Sequence, residues 1–234
     1  MIVSRTVIFV HGFGGDKYAR GMFTDIAEIL DGCNLVFIDL NDYRDDGSLV
    51  INPMNKQVSI LRSAHKKAVE DYPNAPVDLV CHSQGCVVAA MSGIEDVENI
   101  LLITPPSELK FERIEEMFSS RKGAVVRKDG DSMLPRRAGS PTIVPKEYWR
   151  GIEDLDIPRL FNGLALSGSR ILLVEAADDD VLKQTDFSTL HGEIEQRTLA
   201  GNHNFDGNSR PAFMDLVSAM TKSTPASCAQ RTCS

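Results

Sequence analysis

The sequence has 234 residues, 42% of them hydrophobic and 25% charged, with a formal net charge of −8. That length suits one domain with one good core, and the acidic balance argues against nucleic-acid and anionic-membrane partners, both of which require a positive protein surface. No apolar stretch approaches the roughly 20 residues that cross a bilayer; the start lacks the length and cleavage site of a signal peptide. Five cysteines with no CxxC pair and no zinc-spaced histidine fit reduced thiols in the cytoplasm, a Cys228–Cys233 disulfide being the alternative in the tail.

In chain order, Thr6–Val10 reads as a strand, and Met22, Phe23, Ile26, Ile29 and Leu30 then share one helical face. Leu35–Leu40 is a second strand, followed by a helical repeat at Val58, Leu61, His65 and Ala68. Val77–Cys81 is a third strand, and Val87, Val88 and Met91 mark the next helix. Ile100–Thr104 is a fourth strand ended by two prolines, Arg170–Glu175 a fifth and Glu193–Thr198 a sixth. Phe213, Leu216, Val217 and Met220 form the last helical stripe, entered through Ser209 with Pro211 close behind. This alternation predicts an α/β fold: three layers, a parallel sheet of about six strands with helices on both faces. Near-continuous apolar strands agree, because parallel strands are buried on both sides.

Residues 105–169 break the rhythm. Ser107 is placed to cap a helix carrying Phe111, Ile114, Met117 and Phe118, and the stretch from Gly123 to Pro145 is basic, glycine-bearing and proline-broken. The whole segment reads as an inserted cap, leaving residues 1–104 and 170–222 as the core. Residues 223–234 read as a disordered tail.

Four local signals carry chemistry. Cys81-His82-Ser83-Gln84-Gly85 follows an apolar strand and precedes a helix, the context in which a sharp turn holds a serine above the sheet edge. Small residues are needed two before and two after that serine; Gly85 meets the need, and Cys81 stands in for the usual glycine. His11-Gly12-Phe13-Gly14-Gly15-Asp16 follows the first strand. Acyl transfer develops charge on an oxygen that preorganised N–H donors must meet, and the amides of Phe13 and Gln84 are the candidates. A phosphate loop is the competing reading of these glycines, but neither the GxxxxGK[ST] lysine nor GxGxxG spacing is present. Asp178-Asp179-Asp180 follows the fifth strand and offers a carboxylate to orient a histidine; some of the three are expected to be a solvated turn. His203 lies in the loop before the last helix, where it can act as a general base.

The order Ser83, Asp179, His203, with each member after a predicted strand, resembles that of the α/β-hydrolases. The resemblance covers nearly the whole chain, in a compact form lacking the family's first two strands. It implies Asp179 as the acid, because Ala176 stands where the family often has a glycine three residues earlier; Asp178 is the second choice. It also implies a lid where residues 105–169 lie.

The remaining histidines read differently: His11 as a brace for the glycine loop, His65 as a boundary residue, His191 as surface. His82 could equally line the site or pack. Tyr148 and Trp149 could floor a substrate pocket or seal the cap to the core. Arg121, Lys122, Arg127, Lys128, Arg136 and Arg137 form a basic group that could attract an anion or simply face solvent. No metal cluster or cofactor loop is visible, so none is expected. The reading that emerges is an ester or thioester hydrolase working through an acyl-enzyme on a small-molecule substrate. The same residues would serve an amidase, a carbon–carbon hydrolase or an acyltransferase, and a non-catalytic ligand-binding protein is the reading from another class. Oligomeric state is not legible.

Overall fold

The computed structural model describes residues 3–136 and 139–222. The chain runs β1 (Arg5–Val10), α1 (Met22–Glu28), β2 (Cys33–Ile38), β3 (Asp42–Tyr43), β4 (Leu49–Val50), α2 (Met54–Asp71), β5 (Val77–His82), α3 (Gln84–Ser92) and β6 (Val97–Ile103). It continues through α4 (Phe111–Phe118), β7 (Ser132–Leu134), β8 (Thr142–Val144), α5 (Lys146–Ile152), α6 (Ile157–Ala165), β9 (Arg170–Ala176), β10 (Ile194–Leu199) and α7 (Arg210–Lys222).

Six strands form one sheet in the order β10-β9-β6-β5-β1-β2, and every pairing is parallel. Successive side chains on a strand point to opposite faces, and the core divides accordingly. Ile8, Val10, Leu79, Cys81, Ile100 and Leu102 face one cluster, with residues of α2, α3, α5 and α6. Val7, Phe9, Val80, Leu101, Ile103 and Leu172 face the other, with α1 and α7. The three layers follow from that split, because each face of the sheet must be covered.

A second sheet was not legible in the sequence. It has the order β3-β4-β8-β7 and joins an excursion from the core, between β2 and α2, to the middle of residues 105–169. That long segment also divides. α4 has no fully buried residue and borders a cavity, whereas α5 and α6 pack against α2 and α3 in the main core. The strands involved are two or three residues long, too short to announce themselves by periodicity.

Finer expectations change: β2 lies two residues earlier than its pattern suggested, at Cys33–Ile38, and β6 runs Val97–Ile103 and stops before Thr104. Ser107 does not cap α4: Lys110 occupies that position with no side-chain cap, and the Ser107 hydroxyl accepts from the Asp186 amide at 3.1 Å. Three residues of extended chain separate it from the first helical turn, beyond the reach of a capping oxygen. The last strand lies one residue later than its pattern suggested, at Ile194–Leu199. Cys33, Cys81 and Cys86 are free thiols; Cys228, Cys233, Arg137 and the tail lie outside the described residues.

Candidate active site

Every sequence signal sits at the carboxyl end of a strand of the main sheet, the edge at which open parallel sheets bind ligands. Ser83 lies between β5 and α3 with φ 53° and ψ −125°, a conformation that non-glycine residues rarely adopt. Its amide donates to the Ile103 carbonyl at 2.8 Å, tying the turn to the neighbouring strand β6. Gly85 is obligatory here, since a Cβ would overlap the carbonyl oxygen of Val10. Cys81 and Cys86 are fully buried beside the turn, and burial pushes both thiols well above their usual pKa, keeping them neutral.

Gln84 is the first residue of α3, so its amide is one of the donors a helix leaves unpaired at its N-terminus. Its side chain is held on both sides: Tyr148 Oη donates to Oε1 at 2.5 Å, and Nε2 donates to Gln57 Oε1 at 2.8 Å. Gln57 in turn donates to the Asn52 carbonyl at 2.6 Å.

The glycine loop is braced by His11. Leu40 N–H donates to His11 Nε2 at 2.9 Å, which leaves the ring proton on Nδ1, 2.9 Å from the Gly12 carbonyl. Burial lowers the His11 pKa, so the ring stays neutral and this tautomer persists. The Gly12 carbonyl and the Phe13 N–H belong to one planar peptide and point in opposite directions. Holding the carbonyl therefore aims the Phe13 amide. Gly12 permits the approach: a Cβ there would lie 2.8 Å from that of Ser83.

Of the three aspartates, Asp179 alone hydrogen-bonds a histidine ring. Its Oδ2 accepts from His203 Nδ1 at 2.7 Å, while Oδ1 accepts from the amides of Val181 and Leu182 at 2.8 and 2.7 Å. Burial works to raise its pKa, but the bonds and charge of His203 and the two amides outweigh it, and the net shift is downward. Asp180 Oδ1 accepts from the His203 amide at 3.3 Å, and Asp178 is exposed. Ser83 and His203 share no hydrogen bond with each other in this structure; they are linked through neighbours.

Those neighbours are His82 and Thr104. His82 Nε2–H donates to the His203 carbonyl at 3.2 Å and Thr104 Oγ1–H donates to the same oxygen at 3.0 Å. The His82 and His203 rings lie 4.9 Å apart. Burial, then the charge of His203, pushes the His82 pKa down to about 3, so it is a neutral donor. Thr104 has φ 43°, an outlier for a β-branched residue, and its amide continues the ladder to Val174 at 2.7 Å. Sequence reasoning missed Thr104, although a polar residue ending an apolar strand beside the serine turn was a usable signal.

A cavity of about 380 Å³ opens over the turn, bordered by Phe13, Ser83, Gln84 and Tyr148 from below and by α4 and the loop after Asp179 from above. Trp149 does not border it. The indole is 1% exposed, donates to Ser132 Oγ at 3.2 Å and stacks edge-on with Phe111 and Tyr148. It is buried in the main core cluster, with these partners all within residues 105–169. His82 is likewise not on the cavity wall, because its ring is turned toward the His203 backbone. Among the described residues no group of histidine, cysteine and carboxylate side chains could hold a metal ion, and no helix is long and apolar enough to cross a membrane.

No protein-family model matches the sequence, and no curated protein matches it significantly. Solved structures do. Est1E from Butyrivibrio proteoclasticus superposes with a TM-score of 0.68 at 14% identity, covering 94% of this chain and 88% of that one. The same enzyme with ferulic acid bound gives 0.66 at 13% identity, covering 93% and 88%. An esterase from Pyrococcus furiosus gives 0.63 at 16% identity, covering 94% of this chain and 80% of that one. Together with the all-parallel six-stranded sheet and its two helical layers, these matches show that the protein has the α/β-hydrolase fold.

Proposed function

We propose that the protein is a serine hydrolase that cleaves a carboxylic ester or thioester of a small molecule through an acyl-enzyme. The observation that carries this reading is the Asp179–His203 pair at 2.7 Å, set beside a serine in a left-handed strand-to-helix turn. In this reading His203 Nε2 takes the Ser83 proton, and Ser83 Oγ attacks the carbonyl carbon. Asp179 holds the ring with its proton on Nδ1 and stabilises the imidazolium. The Phe13 and Gln84 amides receive the oxyanion, and the protonated His203 gives its proton to the departing alcohol or thiol. Water then repeats the sequence on the acyl-enzyme and releases the acid. The unmade Ser83–His203 bond is compatible with this, since such contacts are often loose before substrate binds.

Residues 105–169 are proposed to supply the cover and part of the selectivity, chiefly through α4. Esterase names among the structural neighbours, one with ferulic acid bound, agree with a small-molecule ester substrate. The test is labelling by a fluorophosphonate probe, followed by turnover of p-nitrophenyl esters. Ser83→Ala should fold, refuse the probe and lose on the order of 10⁴–10⁶ in turnover. Ester hydrolysis retained by a clean Ser83→Ala preparation would reject the assignment.

A further inference from the structure

The wall of the cavity carries more positive charge than its neighbours neutralise. Arg20, Lys110, Arg113, Arg121 and Lys183 border it, against three carboxylates, Glu108, Glu116 and Asp180. Three of the cations are engaged. Lys110 Nζ lies 2.5 Å from Glu108, Arg113 lies 3.8 Å from the same carboxylate and donates to the Leu182 carbonyl at 2.8 Å, and Lys183 lies 3.8 Å from Glu116. Asp180 accepts from the neutral His203 amide and keeps its charge, so the five cations still outnumber the three carboxylates by two.

Arg20 and Arg121 are left without a carboxylate at ion-pair distance among the described residues. They enter the wall from different parts of the chain, one from the segment after β1 and the other from the turn after α4. Arg121 is not simply loose: its guanidinium lies over the Phe118 ring, 4.2 Å from the centroid, and Phe118 is itself on the wall. Arg20 stands on a left-handed backbone (φ 56°, ψ 33°) directly after Ala19 in the same region (φ 45°), a local cost that the surrounding fold must offset. The protein as a whole is acidic, with a net charge of −8, so this concentration of cations is not a by-product of composition. The same wall that holds Ser83 and the two arginines also has an apolar part, with Phe13, Ile114 and Met117.

We propose that the substrate is an anionic ester or thioester, its negative group separated from the scissile carbonyl by an apolar stretch and received by Arg20 and Arg121. This rests on the serine-hydrolase reading and narrows its substrate class. The reaction is unchanged: water is consumed, the acyl–oxygen or acyl–sulfur bond breaks, and the anionic group takes no part. It provides orientation and, through the cationic mouth, faster encounter at low salt.

The experiment compares matched neutral and anionic esters. p-Nitrophenyl butyrate against mono-p-nitrophenyl glutarate places the charge on the acyl side; phenyl butyrate against 4-butyryloxybenzoate places it on the alcohol side. The readout is the ratio of kcat/KM, anionic over neutral, in wild type, Arg20→Gln, Arg121→Gln and Arg121→Lys, each checked for an unchanged melting temperature. In one of the two pairs the ratio should fall by more than twofold and up to about fivefold in each Gln variant, the size of one exposed ionic contact. It should be kept in Arg121→Lys and should fall between low and 0.5 M salt. Ratios unchanged within twofold in both pairs and both Gln variants overturn the proposal. If the probe labels Ser83 and neutral esters turn over while those ratios stay flat, only the anionic preference fails. If Ser83 is neither labelled nor needed, the underlying reading fails instead.

Discussion

Replacing Tyr148 by Phe removes one oxygen atom from a side chain that is fully buried, and leaves the ring in place against Phe13 and Trp149. What changes is Gln84 Oε1, which loses its 2.5 Å donor inside the protein. An acceptor left buried and unpaired costs about 1–3 kcal/mol, more than the net worth of the bond itself. For a chain of this length, each kcal/mol moves the melting temperature by about 2–4 °C, so a loss of about 2–12 °C is expected. The measurement is urea unfolding, where the midpoint should fall at constant slope. A double-mutant cycle with Gln84→Met then isolates the pair, and a coupling of about 1 kcal/mol is expected for groups in one network. Activity should drop only a few-fold, because the Gln84 backbone amide and the ring surface both remain. A Tyr148→Phe protein with an unchanged midpoint would refute the argument, and would mean that the hydroxyl is exchanged for water at no cost.

Other perturbations test other contacts. Thr104→Val keeps the β-branched shape but withdraws one of two donors to the His203 carbonyl, so kcat should fall about two- to tenfold at little-changed KM; Thr104→Ser should restore it, and equal activity of the two variants removes the clamp. Gly85→Ala forces a Cβ into the Val10 carbonyl, so the protein should lose several kcal/mol or fail to fold, and near-native stability on thermal melting counts against the turn as described. Stability should also fall as the pH is lowered below about 6.5, because the unfolded chain then takes up protons that His82, held near 3, refuses. The slope is up to about 1.4 kcal/mol per pH unit for such a histidine; His11 acts in the same direction. Asp179, with its pKa depressed, adds a loss only below the ordinary carboxylate value, as the pH falls through its own lower one. Urea midpoints between pH 7 and 4.5 measure this, and an identical slope in His82→Asn rules His82 out as its source.

Legibility in the sequence followed length and periodicity. The six core strands and the helices between them were readable because runs such as TVIFV and VDLV need burial on both faces, and the structure gives each face its own cluster. The serine turn was readable because strand, small residue and helix coincide within a few positions. Contacts between distant segments were not. Nothing local in Tyr148 announces a bond to Gln84, 64 residues away, and nothing in Thr104 announces one to His203, 99 residues on. The same limit explains Trp149: an aromatic in an insertion looks equally like a pocket floor or a seal until its indole partner, Ser132, is known. Short strands failed for a different reason, since a two-residue ladder such as Leu49–Val50 has no period to detect.

The parallel pairing of β4 with β8 bears on how this molecule can be taken apart. Leu49 aligns with Thr142 and Val50 with Ile143, so the insertion is stitched to a stretch that precedes α2. Cutting out residues 105–169 would strand β4 with an unpaired edge and strip Tyr148 and Phe161 from the face of α3 and its neighbours. The insertion is therefore no detachable module. A chimera that borrows residues 105–169 for another scaffold would have to carry residues 42–50 with them, and a chain opened between β7 and β8 would be expected to reassemble only with that excursion intact.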